Sequence, residues 1–93
     1  MAAVLIPVIF RGPTQGESRV SVPEQTTIGA CFDAVEAEFP GLRALVIDPE
    51  SGGIHRFVKL SLNGEVLDRS PGLLETAVGE SDEIEVIAAI AGG

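Results

Sequence analysis

The chain has 93 residues, with six basic and fourteen acidic side chains for a net charge of −8 at pH 7. That balance excludes nucleic acid and anionic membrane as partners, since both need clustered Lys and Arg, and it admits a basic protein partner. The single cysteine, Cys31, excludes a disulfide within the chain and a CxxC metal site.

The apolar stretch Met1 to Phe10 carries no basic leader and reads as a strand and not a signal peptide. Within it, Val4-Leu5-Ile6-Pro7-Val8-Ile9-Phe10 is short and rich in β-branched residues. Pro7 counts against a regular ladder because it has no N–H to donate. A turn over Arg11 to Gly16 leads into Ser18-Arg19-Val20-Ser21-Val22, whose alternation predicts the second strand of a hairpin. Pro23-Glu24-Gln25 breaks that pattern, and Thr26 or Thr27 can cap a helix. Ile28, Cys31, Phe32, Val35 and Phe39 then recur at helical spacing, with Asp33, Glu36 and Glu38 on the other side. Pro40-Gly41 stops the helix after about three turns. Leu42 to Ile47 is apolar but of open type, and residues 48–53 form a loop. Arg56 to Leu62 predicts a strand and Asn63-Gly64 a tight hairpin turn, with Glu65-Val66-Leu67 returning. One helical turn falls in Pro71 to Ala77, a turn in Gly79 to Asp82, and the last strand in Ile84 to Ile90.

One amphipathic helix cannot bury its stripe alone, and the five predicted strands can cover it in two layers. The first and last strands are the most apolar and belong at the sheet centre. They can pair in parallel because the helix lies in the crossover between them. The expected fold is α+β, a β-grasp or ubiquitin-like arrangement: a mixed sheet of four to five strands with one main helix on one face. The domain is expected over 1–90 and a flexible Gly-Gly tail over 91–93. Val4, Ile6, Val58, Leu60, Leu62, Ile84 and Val86 should face the helix. Leu5, Pro7, Ile9, Phe57, Lys59 and Ile87 should then form an open apolar face, a surface that marks an interaction site.

Gly79-Glu80-Ser81-Asp82-Glu83-Ile84-Glu85-Val86, followed by Ile90-Ala91-Gly92-Gly93, resembles the ubiquitin-like sulfur carriers of the MoaD/ThiS family. Ser81, inserted before Asp82, departs mildly from the family's Gly-Asp-Glu-Val-type turn. Ile6-Pro7, His55-Arg56-Phe57-Val58 and the Ala89-to-Gly93 ending make the chain most similar to the CysO-type carriers of cysteine synthesis. The resemblance implies a protein co-substrate and not an enzyme. By the same resemblance, an E1-like adenylating enzyme of MoeB/ThiF type is expected to activate the Gly93 carboxylate with ATP, and sulfur to replace AMP and leave a C-terminal thiocarboxylate. A sulfur-accepting enzyme follows, such as a PLP-dependent cysteine synthase, and then a metalloprotease that processes the terminus. Thiamine, molybdopterin or a sulfur-containing secondary metabolite could draw on the same group. No cofactor or metal is implied on the chain itself, and the implied location is cytoplasmic.

Gly92 and Gly93 suit this chemistry because a tail without Cβ atoms can thread a narrow channel in any backbone conformation. A mobile chain end rich in small residues is the plainer account of the same two glycines. Phe57 and Ile87 are the first candidates for contact with the activating enzyme, with Ile9, Lys59, Ile90 and Ala91 beside them. The acidic set Glu75, Glu80, Asp82, Glu83 and Glu85 would complement a basic groove on that enzyme, and it also serves solubility. Asp82 reads as a turn carboxylate capping backbone N–H groups. Arg56, Lys59 and Arg69 read first as solvated surface residues, His55 as a residue ordering the approach to its strand, and Cys31 as a buried thiol. A ubiquitin-like modifier forming isopeptides through Gly93, or a binding module using the open sheet face, fits the same sequence.

Overall fold

Thr27 sets the first turn of the main helix. Its backbone is extended, and its hydroxyl accepts a hydrogen bond from the Ala30 N–H at 3.1 Å, which satisfies one of the helix's otherwise unpaired N-terminal donors. This computed structural model describes residues 1–23 and 27–88. Helix α1 runs over Ile28–Glu38 and buries Ile28, Cys31, Phe32 and Val35, the stripe that helical spacing predicts. Gly41, at φ 103°, turns the chain after it, a conformation that suits a residue without Cβ.

The strands are β1 (Ala2–Leu5), β2 (Arg19–Val22), β3 (Val58–Leu62), β4 (Glu65–Val66) and β5 (Glu83–Ala88). They form one mixed sheet in the order β2-β1-β5-β3-β4. The first and last strands lie side by side and parallel, Val4 against Ile84, and the other pairings are antiparallel. This is the β-grasp architecture expected from the strand order. Val4, Val20, Val22, Val58, Leu60, Ile84 and Val86 join the helix stripe in one core. Among the described residues, no helix is long and apolar enough to cross a membrane.

Two strands are shorter than their apolar runs predict. β1 stops at Leu5, and Val8–Phe10 form a 3-10 turn closed by Phe10 N–H donating to the Pro7 carbonyl at 2.9 Å. Pro7 cannot donate, so the ladder ends there; the Arg11 Nε–H donates to the Ile6 carbonyl at 3.0 Å instead of a strand partner. The turn sends Phe10 into the core and leaves Val8 and Ile9 exposed. Ile9 is therefore not on the open sheet face where strict alternation put it. Likewise β3 begins at Val58, because Arg56 and Phe57 lie in a turn closed by Val58 N–H to the His55 carbonyl at 3.0 Å. The last strand is described to Ala88; its predicted extension over Ala89 and Ile90 lies outside the described residues.

The segment left open by the sequence is a second helix, α2 (Leu42–Val46), with Leu42, Val46 and the following Ile47 buried. Its cap comes from another element. The Glu36 carboxylate on α1 accepts from the Gly41 N–H at 3.1 Å and the Arg43 N–H at 3.0 Å. Negative charge at a helix N-terminus is favourable in its own right. Asp33 adds an ion pair to Arg43 at 2.9 Å.

Ile84 is fully buried at the junction of β1, β5 and β3. Ile84→Ala should cost about 2–5 kcal/mol from lost transfer energy and the cavity left behind, a large share of the stability of a domain this size. Urea unfolding should show a lower midpoint with an unchanged slope.

Candidate functional site

The ladder register fixes which side chains share the sheet face away from α1. β5 contributes Glu83, Glu85 and Ile87, β1 contributes Ala3 and Leu5, and β3 contributes Lys59 and Ser61. The face is mixed and not the continuous apolar surface that the sequence suggested. Glu83 and Glu85 occupy its centre, Leu5 and Ile87 are half-buried, and Glu85 and Lys59 are exposed. Arg19 on β2 reaches across β1 to pair with Glu83 at 2.6 Å. Ala3 and Ser61 are buried on this face, and the Ser61 hydroxyl has no hydrogen-bond partner among the described residues.

Parallel pairing brings the ends of β1 and β5 to one pole of the sheet. Beyond β1 the chain enters the turn with Val8 and Ile9 exposed. β5 is described to Ala88, which pairs with Val58 at the start of β3. The Phe57 ring, just before Val58, stacks on the His55 ring at 5.1 Å with 13° between planes. His55 Nε2 lies 2.8 Å from the Ala44 carbonyl oxygen on α2. It orders the approach to the strand, as its position in the sequence suggested.

Arg69 holds this pole together. One guanidinium nitrogen donates to the carbonyls of Ile54 at 3.2 Å and His55 at 2.8 Å. The other donates to those of Arg56 at 3.0 Å and Val58 at 2.6 Å. A planar cation with fixed donors thus collects the carbonyls of the segment that leads into β3, up to its first residue. Arg69 is exposed, as expected from the sequence, and its guanidinium has in addition a tying role that this expectation missed. No local pattern could reveal it, since its acceptors lie 11 to 15 residues upstream.

The opposite pole is tied by Asn63. Asn63 and Gly64 take positive φ values of 54° and 89°, as their turn requires. The Asn63 backbone N–H donates to the Glu83 carbonyl at 2.8 Å. Its side-chain oxygen accepts from the Glu83 N–H, and its side-chain nitrogen donates to Asp82, both at 2.9 Å. Asp82 also accepts from the Gly79 N–H at 2.7 Å. The Asn63 contact first, and the Gly79 N–H second, hold the Asp82 carboxyl below its ordinary value of 3.8. Asp82 is thus the turn carboxylate that its position suggested. Cys31 is buried in the core, and burial pushes its thiol up, which disfavours the reactive thiolate.

Of the predicted partner-binding residues, the structure brings Phe57, Lys59 and Ile87 to one end of the sheet and puts Ile9 on the turn beyond β1. Ile90, Ala91, Gly92 and Gly93 lie outside the described residues.

The ThiS family model matches residues 5–93. The sulfur carrier protein CysO of Mycobacterium tuberculosis is 38% identical over 91 residues, 97% of this chain and 96% of that protein. The crystal structure of M. tuberculosis CysO superposes with a TM-score of 0.84 at 35% identity, covering 97% of this chain and 100% of the other. A chain from the BexX/CysO complex of Amycolatopsis orientalis gives a TM-score of 0.86 at 32% identity, with 100% of each chain covered.

Two substitutions test the polar ties. Arg69→Ala should lower stability by about 1–3 kcal/mol, and Arg69→Lys should recover little of it because an ammonium cannot span the same carbonyls; thermal unfolding of the three proteins checks this. Asn63→Ala should destabilise at neutral pH. Because the folded-state pKa of Asp82 is depressed, its contribution is present above the ordinary carboxylate pKa and is lost as pH falls through the lower folded value. The stability gap between wild type and Asn63→Ala should therefore narrow below about pH 4, as read by denaturation across an acid pH series.

Proposed function

The chain belongs to the ThiS family, and on that premise we propose that it is a sulfur carrier of the CysO type, with the α-carboxylate of Gly93 as the group that is activated and loaded. The observation that carries this reading is the 38% identity to a protein named as a sulfur carrier, over nearly the whole of both chains. The family match also runs through Gly92 and Gly93.

In the proposed reaction, a Gly93 carboxylate oxygen attacks the α-phosphorus of ATP on an E1-like adenylating enzyme of MoeB/ThiF type, and pyrophosphate leaves. A sulfide or persulfide sulfur then attacks the acyl carbon and AMP leaves. With a persulfide donor, a thiol must next cleave the S–S bond to free the thiocarboxylate. The C-terminal sulfur is then the nucleophile offered to an acceptor enzyme. Cysteine synthesis, with a PLP-dependent synthase as acceptor and a metalloprotease that frees the product from the carrier, is the pathway favoured by the CysO relatives.

The chain's own part is to present and orient. The pole at Ala88 and Val58 offers exposed Phe57, with Ile87 half-buried on β5, and the turn after β1 offers exposed Val8 and Ile9. Aromatic and aliphatic side chains of this kind form the centres of protein interfaces. Glu83 and Glu85, in the middle of the outer face, suit a basic surface on the partner. The related A. orientalis chain comes from a BexX/CysO complex, which supports recognition of such a carrier as a folded domain.

ATP–pyrophosphate exchange with an E1-like enzyme tests the proposal. The wild-type chain should support exchange. Gly93→Val should lose it by on the order of 100-fold, the cost of a misplacement of about 1 Å at a reacting centre, while its melting temperature stays that of wild type. Equal exchange by Gly93→Val, or none by the wild type with an enzyme proven active on another carrier, would contradict the reading.

A further inference from the structure

The chain has six lysines and arginines against fourteen acids, and most of the six are committed to the fold. Arg11 bonds the Ile6 carbonyl, Arg19 pairs with Glu83, Arg43 pairs with Asp33, and Arg69 collects four carbonyls. Arg56 and Lys59 alone have side chains with no hydrogen-bond or ion-pair partner among the described residues. Both are exposed, and they flank Phe57, itself 37% exposed. The register places Lys59 opposite Ile87, one diagonal step from Glu85 on the same face, yet the two form no ion pair. The backbone beneath Arg56 is pinned by Arg69 at 3.0 Å, so its side chain stands on a fixed base.

We infer that Arg56 and Lys59, with Phe57 between them, form a basic–aromatic contact that is read by carboxylate side chains on the adenylating enzyme beside the channel that admits the C-terminus. The inference rests on the carrier function proposed above. Its geometry follows from chain length. The five residues 89–93 can span at most about 18 Å, so a centre acting on the Gly93 carboxylate lies within about that distance of Ala88. The enzyme surface around such a centre must cover the pole where Val58 pairs with Ala88. Desolvating Arg56 and Lys59 there is unfavourable unless anionic groups meet them. A basic rim would instead add like-charge repulsion to that cost.

The result is a surface of two signs. Glu83 and Glu85 lie at the sheet centre, and Arg56 and Lys59 lie at the pole. A partner with the complementary pattern can dock the carrier in one orientation, with the tail end toward its active site, although the carrier's overall charge is strongly negative.

Steady-state ATP–pyrophosphate exchange at low ionic strength tests this, with the E1-like enzyme held fixed and the carrier varied. The Arg56→Glu/Lys59→Glu double variant should raise the KM for the carrier by about tenfold or more, with kcat retained, because a like-charge contact weakens encounter and docking. Arg56→Ala and Lys59→Ala should each raise it a few-fold, and Arg56→Lys should behave as wild type. Neither side chain supports the fold, so all variants should melt with the wild type. The double variant is also more acidic overall, so a basic enzyme surface at this pole would give the opposite sign. An unchanged or lower KM for the double variant, with the wild type active, overturns this inference and leaves the carrier reading intact. Failure of the wild type itself to support exchange overturns both.

Discussion

The parallel pairing of β1 with β5 is the constraint on which the rest of the molecule depends. A parallel pair needs a long crossover, and the chain supplies it with α1, α2 and the β3–β4 hairpin between the two strands. The two most apolar strands thereby sit at the sheet centre, where Val4, Ile84 and Val86 are sealed by Ile28, Phe32 and Val35. The same pairing makes β1 and β5 finish at one pole. Ala88, the last described residue of the sheet, pairs with Val58 next to the exposed Phe57, and the turn that exposes Val8 and Ile9 follows the same end of β1. The surface proposed to dock the activating enzyme lies at this pole because of the way the core is closed.

Regular secondary structure accounts for little of that pole. Three single side chains do the tying: Arg69 to four carbonyls leading into β3, His55 to the Ala44 carbonyl, and Arg11 to the Ile6 carbonyl. Buried or half-buried carbonyls must find donors, and in a domain of 93 residues few strands are available to provide them. Polar side chains with fixed geometry take the place of a ladder. They hold the surface still while leaving Phe57, Arg56 and Lys59 turned to solvent. Preorganised contact surfaces lose less entropy on binding, which would suit the docking role proposed for this pole.

Much of this was legible in the sequence, for reasons that are local. The α1 stripe repeats at 3.6-residue spacing, Thr27 has the chemistry of a cap, Asn63-Gly64 meets the needs of a tight turn, and Asp82 sits where a turn needs an acceptor. The strand order, with its apolar first and last members, then led to the β-grasp fold. What could not be read depended on partners distant in the chain. α2 is capped by Glu36 from another helix, so its own sequence gives no start signal. The apolar run from Val4 to Phe10 hid a turn, because the side chains at both ends of it are buried and only Pro7 marks the break. Alternation therefore placed Ile9 on the sheet. The interleaving of Glu83 and Glu85 with Leu5 and Ile87 emerged only with the register, and Arg69 only with the folded loop. The residues at 90–93 are candidates on a motif and a family resemblance, and they lie outside the described residues.

The central claim concerns one functional group, the Gly93 carboxylate, and intact-protein mass spectrometry addresses it directly. The chain would be incubated with ATP, a sulfide or persulfide donor and a competent E1-like enzyme, then alkylated and mapped by C-terminal fragmentation. The account predicts a mass change equal to one oxygen replaced by sulfur, confined to Gly93, ATP-dependent and trapped by the thiol-alkylating reagent. An unmodified terminus with an enzyme shown to load another carrier, or sulfur appearing at Cys31 instead, would contradict it.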